Sequence, residues 1–267
     1  MSEQGDALLT HVSEQGDALL AVDGLAKHYG GVRAVDGVSF EVPRGSLTGL
    51  IGPNGAGKTT VLGMVAGAIK PDHGSILLDG RSIAGLPPYR AAHRGVIRTF
   101  QAASVFPRLT VMENLLLGVP PWSGEGISAS LFLRRKWHRE ERAQLMHARE
   151  LLDRLDLTQH ADSFAGELSG GQKRLVELGR AMMTKPSLLL LDEPMAGVSR
   201  TLVPVIEGLI GELREEGMTV LLVEHELGVV ERLCSPVIVM AQGRVLIQGE
   251  MAECRAHPEV RRAYLVG

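Results

Sequence analysis

The stretch "SLTGLIGPNGAGKTT", Ser46 to Thr60, decides the fold. Its first half is an apolar, strand-like run, and its second half, "GPNGAGKTT", fits the pattern G-x-x-x-x-G-K-[ST]. Glycines at 52, 55 and 57 let the backbone curl so that successive N–H groups point inward, and the start of the following helix adds its positive end. The stretch therefore predicts a phosphate-binding loop between a strand and a helix.

The polar residues of this loop suit a nucleotide with its metal ion. Lys58 supplies a point charge for the β- and γ-phosphates, and the Thr59 hydroxyl is suited to ligate Mg²⁺, a hard ion that prefers oxygen. A glycine-rich turn without a ligand would require neither residue. The predicted nucleotide-binding residues are Gly52, Pro53, Asn54, Gly55, Ala56, Gly57, Lys58, Thr59 and Thr60.

A second motif, "LLLLDEP" from Leu188 to Pro194, supports the first. A buried strand that ends in a carboxylate places Asp192 at the carboxyl edge of a parallel sheet, where ligands of such sheets bind. Asp192 can hold Mg²⁺ through water, and Glu193 can act as general base toward the attacking water. A solvated turn is the alternative, but four leucines before the carboxylates indicate the centre of a sheet. The two motifs together predict a nucleoside triphosphate and Mg²⁺ as ligands, as in many different NTPases.

The rest of the chain predicts an α/β domain with an inserted helical part. The chain has 267 residues, of which 45% are hydrophobic, and its net charge of −3 leaves no overall basic surface for nucleic acid. Strand signals dominate from 20 to 52, and strands and helices alternate afterwards. Charged amphipathic patterns replace the strands between about 102 and 180. No apolar run approaches the ~18 residues of a membrane span.

The N-terminus contains a duplication, because "SEQGDALL" occurs at Ser2 to Leu9 and again at Ser13 to Leu20. Only the second copy runs into a strand-like pattern. We therefore predict that residues 1–17 are a disordered extension and that residues 18–267 form the domain.

A basic run in the helical part has two interpretations. It could contact phosphates of nucleic acid, or it could be the solvated face of an ordinary helix. Acidic residues at 140, 141 and 150 interleave with it at helical spacing, which favours the solvated helix. No nucleic-acid partner is therefore predicted. The basic run comprises Arg134, Arg135, Lys136, His138, Arg139 and Arg142.

Five motifs in one order resemble those of the ATP-binding-cassette ATPases. The segment "LSGGQKRLVELGRAMM", beginning at Leu168, is similar to the signature of that family. It is accompanied by an aromatic residue, Tyr29, upstream of the phosphate loop, by "RTFQ" with Gln101, by "DEP", and by "VEH" with His225. The resemblance implies a P-loop NTPase (RecA-like) α/β core, with an N-terminal antiparallel β subdomain and an inserted helical signature subdomain.

The resemblance also implies roles for the matched residues. Tyr29 would stack on adenine, with a core tyrosine as the alternative. Gln101 would contact the metal and the attacking water. His225 would contact the γ-phosphate and keep the water and Glu193 in line. The residues that would cap the γ-phosphate of ATP bound to a second protomer are Ser169, Gly170, Gly171 and Gln172. The working unit would then be a head-to-tail dimer around two ATP molecules.

Within the superfamily, the chain most resembles the ATPase subunits of branched-chain amino-acid importers. The similar phrases are "RTFQ", "LTVMENLLLG", "DEPMAG", "LLVEHEL" and "VRRAYLVG". This resemblance implies an ATPase peripheral to the cytoplasmic face of the plasma membrane. Its partners would be two transmembrane permease subunits, a second ATPase that is identical or paralogous, and, indirectly, a solute-binding protein.

Three alternatives have different consequences. A urea-type importer or a lipopolysaccharide-export ATPase would share several of these phrases. A soluble cassette ATPase acting on ribosomes or DNA would carry two cassettes or a long coiled-coil insertion. A regulator without turnover is opposed by the presence of Glu193 and His225.

The loop after "DEP" departs from the usual family pattern. Ser199 stands where most cassettes have an aspartate, and Arg200 stands where they have a proline. One interpretation is that Ser199 caps the following helix, or that Thr201 does so because Pro204 is tolerated only near a helix start. The other interpretation is that Ser199 forms a hydrogen bond across the dimer interface.

Overall fold

The computed structural model describes residues 18–99, 104–119 and 134–265. The predicted extension 1–17 and Gln101 lie outside the described residues. The strands are β1 (Ala18–Tyr29), β2 (Val32–Pro43), β3 (Leu47–Ile51), β4 (His73–Leu78), β5 (Arg81–Ser82), β6 (Val96–Arg98), β7 (Leu188–Asp192), β8 (Thr219–Val223), β9 (Val237–Ala241) and β10 (Arg244–Gly249). The helices are α1 (Lys58–Val65), α2 (Pro88–His93), α3 (Val111–Leu116), α4 (Arg134–Arg154), α5 (Gly170–Met183), α6 (Val203–Glu215), α7 (Leu227–Leu233), α8 (Met251–Ala256) and α9 (Pro258–Leu265).

A six-stranded sheet in the order β10-β9-β3-β8-β7-β6 forms the centre of the fold. Its strands run parallel except for β10, which is antiparallel to β9. Strands β3, β7 and β8 are buried along their whole length. Uninterrupted apolar sequence is what strands covered on both faces require. The parallel arrangement brings the carboxyl ends of β3, β7 and β8 to one edge of the sheet.

A four-stranded antiparallel sheet in the order β2-β1-β4-β5 packs beside this core. Strands β4 and β5 are joined by Asp79 and Gly80, whose φ angles are 49° and 70°. Both values are positive, as the two-residue turns that match strand twist require. The predicted antiparallel β subdomain is confirmed.

The side chains of β7 divide the hydrophobic core into two clusters. Leu189 and Leu191 belong to the cluster that includes residues of α3, α4, α5 and α6. Leu188 and Leu190 belong to the cluster that contains α1 and the antiparallel sheet. The predicted α/β fold class with a helical part is therefore confirmed. None of the helices in the described ranges is both long and apolar enough to span a bilayer.

The described part of the basic run lies on the surface of α4. His138 faces Glu141 one turn away, with 3.5 Å between Nδ1 and Oε2, and His147 faces Glu150 at 3.8 Å. Arg139 and Arg142 are exposed. These contacts are those of a solvated helix with i,i+3 pairs.

Candidate active site

The predicted phosphate loop connects β3 to α1, and its glycines are required by close backbone contacts. A Cβ at Gly57, where φ is 101°, would lie 2.5 Å from the carbonyl oxygen of Ala34. A Cβ at Gly52 would overlap the carbonyl oxygen of Met240. Neither position accommodates a side chain. The loop is therefore held against β2 and β9, with the N-terminus of α1 at its end, which is a favourable place for an anion.

Lys58 is folded back onto this loop. Its side chain is buried, and Nζ donates to the carbonyl oxygens of Gly52 at 2.7 Å and Pro53 at 3.1 Å. Burial lowers the pKa of Lys58, while the charges of Glu193 and Asp192 oppose the shift. The ammonium group thus lies in the field of both acidic residues. Thr59, in the first turn of α1, is exposed.

The two oxygens of the Asp192 side chain have different surroundings. Oδ2 accepts a hydrogen bond from Nη2 of Arg98 at 2.7 Å. Oδ1 is buried and accepts no hydrogen bond from the residues that the structure describes. An unsatisfied buried carboxylate oxygen is costly, and a water molecule of a hydrated cation would satisfy it. Asp192 therefore fits the predicted Mg²⁺ site.

Glu193 and His225 are in direct contact. His225 Nε2 lies 2.5 Å from Glu193 Oε1, and the side chains are 44% and 14% exposed, respectively. Strands β7 and β8 are neighbours, so their following residues meet at the sheet edge. Glu193 has a φ of 50°, which is uncommon outside glycine. Backbone in this region is often found at functional sites. The structure thus brings together Glu193 and His225, two of the three residues assigned to the attacking water; the third, Gln101, lies outside the described residues.

The signature residues form the N-terminus of α5. Ser169 Oγ accepts from the backbone N–H of Gln172 at 3.3 Å, and Gln172 Oε1 accepts from the N–H of Ser169 at 3.0 Å. This reciprocal arrangement is a capping box. Ser169 and Gly170 are exposed, whereas Gly171 packs against Leu202. The helix start is therefore capped by its own side chains, and Ser169 and Gly170 are open to a ligand from outside the chain.

Tyr29 is half exposed at the end of β1, so the alternative of a core tyrosine is wrong. Lys27 Nζ lies 5.6 Å from the centre of its ring. A half-exposed ring is consistent with the predicted stacking on adenine, which stays a prediction.

The sequence profile of the ABC transporter family matches residues 35–196, more than half of the chain. This region includes the phosphate loop, the signature helix, Asp192 and Glu193. The chain belongs to the ABC transporter family.

Two curated ABC transporter proteins illustrate the similarity. The high-affinity branched-chain amino acid transport ATP-binding protein BraF of Pseudomonas aeruginosa is 40% identical over 92% of this chain and 97% of its own length. The corresponding protein LivG of Escherichia coli K12 is 39% identical over the same shares.

Solved ABC transporter structures agree in fold. The ADP conformation of an ATP-binding cassette has a TM-score of 0.79 and 37% identity, and the comparison covers 94% of this chain and 99% of that one. A nucleotide-free cassette has a TM-score of 0.78 and 36% identity, with coverage of 92% and 98%.

Sequence reasoning missed Arg174 of this ABC transporter chain. Its guanidinium is buried and donates to the carbonyl oxygens of Asp192 at 3.0 Å, Glu193 at 2.9 Å and Pro194 at 3.1 Å. It also donates to Glu177 Oε2 at 2.7 Å. The signature helix is thus hydrogen-bonded to the backbone of "DEP", the acidic motif at the end of β7. Helical periodicity could have indicated that Arg174 is buried, because it precedes the buried Leu178 by four residues and so lies on the same face of the helix.

Glu224, the middle residue of "VEH", was also missed. It is buried, and its carboxylate accepts from the N–H groups of Met195 at 3.2 Å and His225 at 3.1 Å. Burial raises the pKa of Glu224, an effect that the two hydrogen bonds oppose. The carboxylate fixes the loop after "DEP" and the backbone of His225 together.

The interpretation that Ser199 or Thr201 caps the helix after "DEP" is wrong. Helix α6 has Leu202 as its N-cap, and no side chain caps it. The Ser199 carbonyl accepts from the N–H of Leu202, while Ser199 Oγ lies 2.9 Å from Thr201 Oγ1. Pro204 falls in the first turn, as predicted. Ser199 and Thr201 are both exposed, so their hydroxyls are accessible from outside the chain.

Proposed function

We propose that this chain is the ATP-hydrolysing, energy-coupling subunit of an importer for branched-chain amino acids. The identity of 40% with a branched-chain amino acid transport ATP-binding protein, over nearly the full length of both chains, carries the proposal. The site residues alone support ATP hydrolysis, because they are shared by cassettes of many transporters. The chain would bind two permease subunits at the cytoplasmic face of the membrane and serve them as a peripheral subunit.

ATP binding is proposed to use the phosphate loop and Tyr29. The backbone N–H groups of the loop 52–60, apart from Pro53, which has none, would surround the phosphates, and Lys58 would leave its carbonyl partners for the β- and γ-phosphates. Asp192 and Thr59, together with Gln101 outside the described residues, would hold Mg²⁺. When bound, this ion supplies charge neutralisation between the β- and γ-phosphates.

Hydrolysis is proposed to depend on Glu193 and His225. Glu193 accepts a proton from water while the water oxygen attacks the γ-phosphorus, and the bond to the bridging oxygen of ADP breaks. His225 now contacts Glu193, and it would keep that contact while its ring also approaches the γ-phosphate. The products are ADP and inorganic phosphate.

The second half of each site is proposed to come from another cassette. Ser169, Gly170, Gly171 and Gln172 form a capped helix start whose first two residues are exposed, which suits the γ-phosphate of ATP on a partner. The two sites of a head-to-tail dimer would therefore open and close together. The partner is either a second copy or a paralogue.

Ser199→Asp is expected to change the cooperativity of ATP hydrolysis without loss of stability. The Ser199 side chain caps no helix and is exposed in the loop after "DEP". An added carboxylate at this position would therefore act on a partner cassette rather than on the fold. The Hill coefficient for ATP is measured for Ser199→Asp and for the control Ser199→Ala, which removes the contact with Thr201 but adds no charge. A Hill coefficient equal to that of the parent in both variants would argue against an interface role.

Reconstitution with membrane partners tests the proposed function. Membrane proteins that copurify with the tagged chain are incorporated into liposomes together with the solute-binding protein of the same system. Leucine is expected to stimulate ATP hydrolysis and to accumulate in the compartment that the ATPase faces. Stimulation by urea but not by leucine would contradict the proposed branched-chain amino-acid substrate. A preparation without ATPase activity would contradict the proposed hydrolysis of ATP.

A further inference from the structure

Arg98 forms a buried ion pair with the acidic end of β7. It is the last residue of β6 and pairs in register with Leu190 of β7. Its Nη2 donates to Asp192 Oδ2 at 2.7 Å, and the two side chains are 12% and 2% exposed. A pair at this depth is costly to form, and removing one member leaves the other charge in an apolar surrounding. A contribution to stability therefore does not by itself explain why this ion pair is present.

Helix α1 provides the space for the guanidinium. A Cβ at Gly63 would lie 3.6 Å from Arg98 Nη1 and 2.6 Å from Ile69 Cδ1. Arg98 is therefore confined between the central sheet and the helix that begins at Lys58. An arginine in such a place keeps its charge and its planar geometry, whereas a lysine offers only a point charge on a flexible stem.

The pairing makes the two oxygens of Asp192 unequal. Oδ2 is occupied by Arg98, whereas Oδ1 is buried and has no hydrogen-bond partner within the described ranges. We infer that Arg98 is a positioning residue for the Mg²⁺ of bound nucleotide: it fixes the Asp192 carboxylate by Oδ2 and leaves Oδ1 for the hydrated metal. This inference rests on the proposed function, because it concerns the same site.

Charge and positioning predict opposite effects of removing Arg98. A cation beside a metal ligand repels Mg²⁺, so by charge alone its removal would tighten Mg²⁺ binding. If Arg98 positions Asp192, its removal leaves a buried carboxylate that is no longer held in place and can turn away, and Mg²⁺ binding weakens. Outer partners of metal ligands typically contribute about 10–100-fold to metal affinity. Whether Mg²⁺ binding tightens or weakens when Arg98 is removed therefore distinguishes the effect of its charge from a positioning role.

The experiment compares Arg98→Met with Arg98→Lys and with Arg94→Met, an exposed arginine four residues earlier. A fluorescent, nonhydrolysable ATP analogue is titrated first in EDTA and then over a series of Mg²⁺ concentrations. Binding of Mn²⁺ in the presence of ADP is followed by electron paramagnetic resonance. Thermal melting of each variant is recorded in EDTA.

For Arg98→Met, we expect the Mg²⁺ concentration at half-maximal enhancement to rise about tenfold or more. Its affinity for the analogue in EDTA should equal that of the parent, because the phosphate loop is intact. The Mg²⁺ concentration that Arg98→Lys requires should lie between those of the parent and of Arg98→Met. Arg94→Met should match the parent. Should Arg98→Met not fold, Arg98→Lys carries the same comparison.

An unchanged or lower Mg²⁺ requirement in folded Arg98→Met would overturn the inference. An equal loss of affinity in EDTA and in Mg²⁺ would also overturn it, since that is the result of a purely structural role. If the parent itself bound the analogue no better with Mg²⁺ than without, the proposed function would fail together with the inference.

Discussion

Glu193→Gln is expected to lower the rate of ATP hydrolysis at least about a hundredfold, as loss of a general base typically does. Glutamine has the same shape and can keep the contact with His225, but its amide cannot take up the proton of the attacking water. The phosphate loop is unchanged, so ATP binding should persist. Phosphate release and binding of labelled ATP measure the two effects separately.

The same variant should accumulate as an ATP-bound dimer. In the proposed cycle, hydrolysis separates the two cassettes, so a chain that binds but does not hydrolyse ATP remains closed. Gel filtration with and without ATP reports the dimer. Glu215→Gln, which changes an exposed carboxylate on α6, is the matched control and should hydrolyse ATP as the parent does. Hydrolysis by Glu193→Gln at the parent rate would show that another group is the base.

The phosphate loop and the acidic strand end could be predicted because each depends on local sequence. The run before Gly52 has the continuous apolar character of a buried strand, and the loop needs glycine where a Cβ would meet Ala34 or Met240. The four leucines before Asp192 likewise predict a covered strand. Parallel pairing then brings the strand ends together without any further information from the sequence.

The buried polar residues could not be predicted in the same way. Arg174 lies 18 to 20 residues from the carbonyls that it contacts, and Arg98 lies 94 residues from Asp192. A charged residue in an amphipathic segment normally faces solvent. Only the folded chain shows that these two arginines and Glu224 are enclosed and paired. The sequence contains the residues, but the three-dimensional packing sets their partners.

The helix-cap interpretation of Ser199 and Thr201 failed for a related reason. A cap requires a particular backbone conformation as well as a hydroxyl group. In the structure the chain makes an additional turn in which Ser199 accepts from Leu202, and Leu202 packs against Gly171 of the signature helix. With this contact between distant segments in place, α6 begins only at Val203.

Arg174→Met is expected to lower the free energy of unfolding by about 3 to 5 kcal/mol, the cost of breaking a buried ion pair by removing one member. The substitution removes the cation that faces Glu177 and the donors to the backbone of the acidic motif. Helix α5 and strand β7 would then lose their polar connection. Urea unfolding followed by circular dichroism measures the loss, and Arg149→Met, on the exposed face of α4, should change it by less than about 0.5 kcal/mol.

A double-mutant cycle separates the ion pair from the backbone contacts. Glu177→Leu alone should also be destabilising, because it leaves the buried Arg174 without this carboxylate. If the ion pair dominates, Arg174→Met combined with Glu177→Leu should be less destabilised than the sum of the single variants, by about 1 to 3 kcal/mol. The double variant should still hydrolyse ATP poorly, because the carbonyls of Asp192 and Glu193 lack their donor. Additive effects would show that the backbone contacts, and not the pairing with Glu177, account for the stability that Arg174 provides.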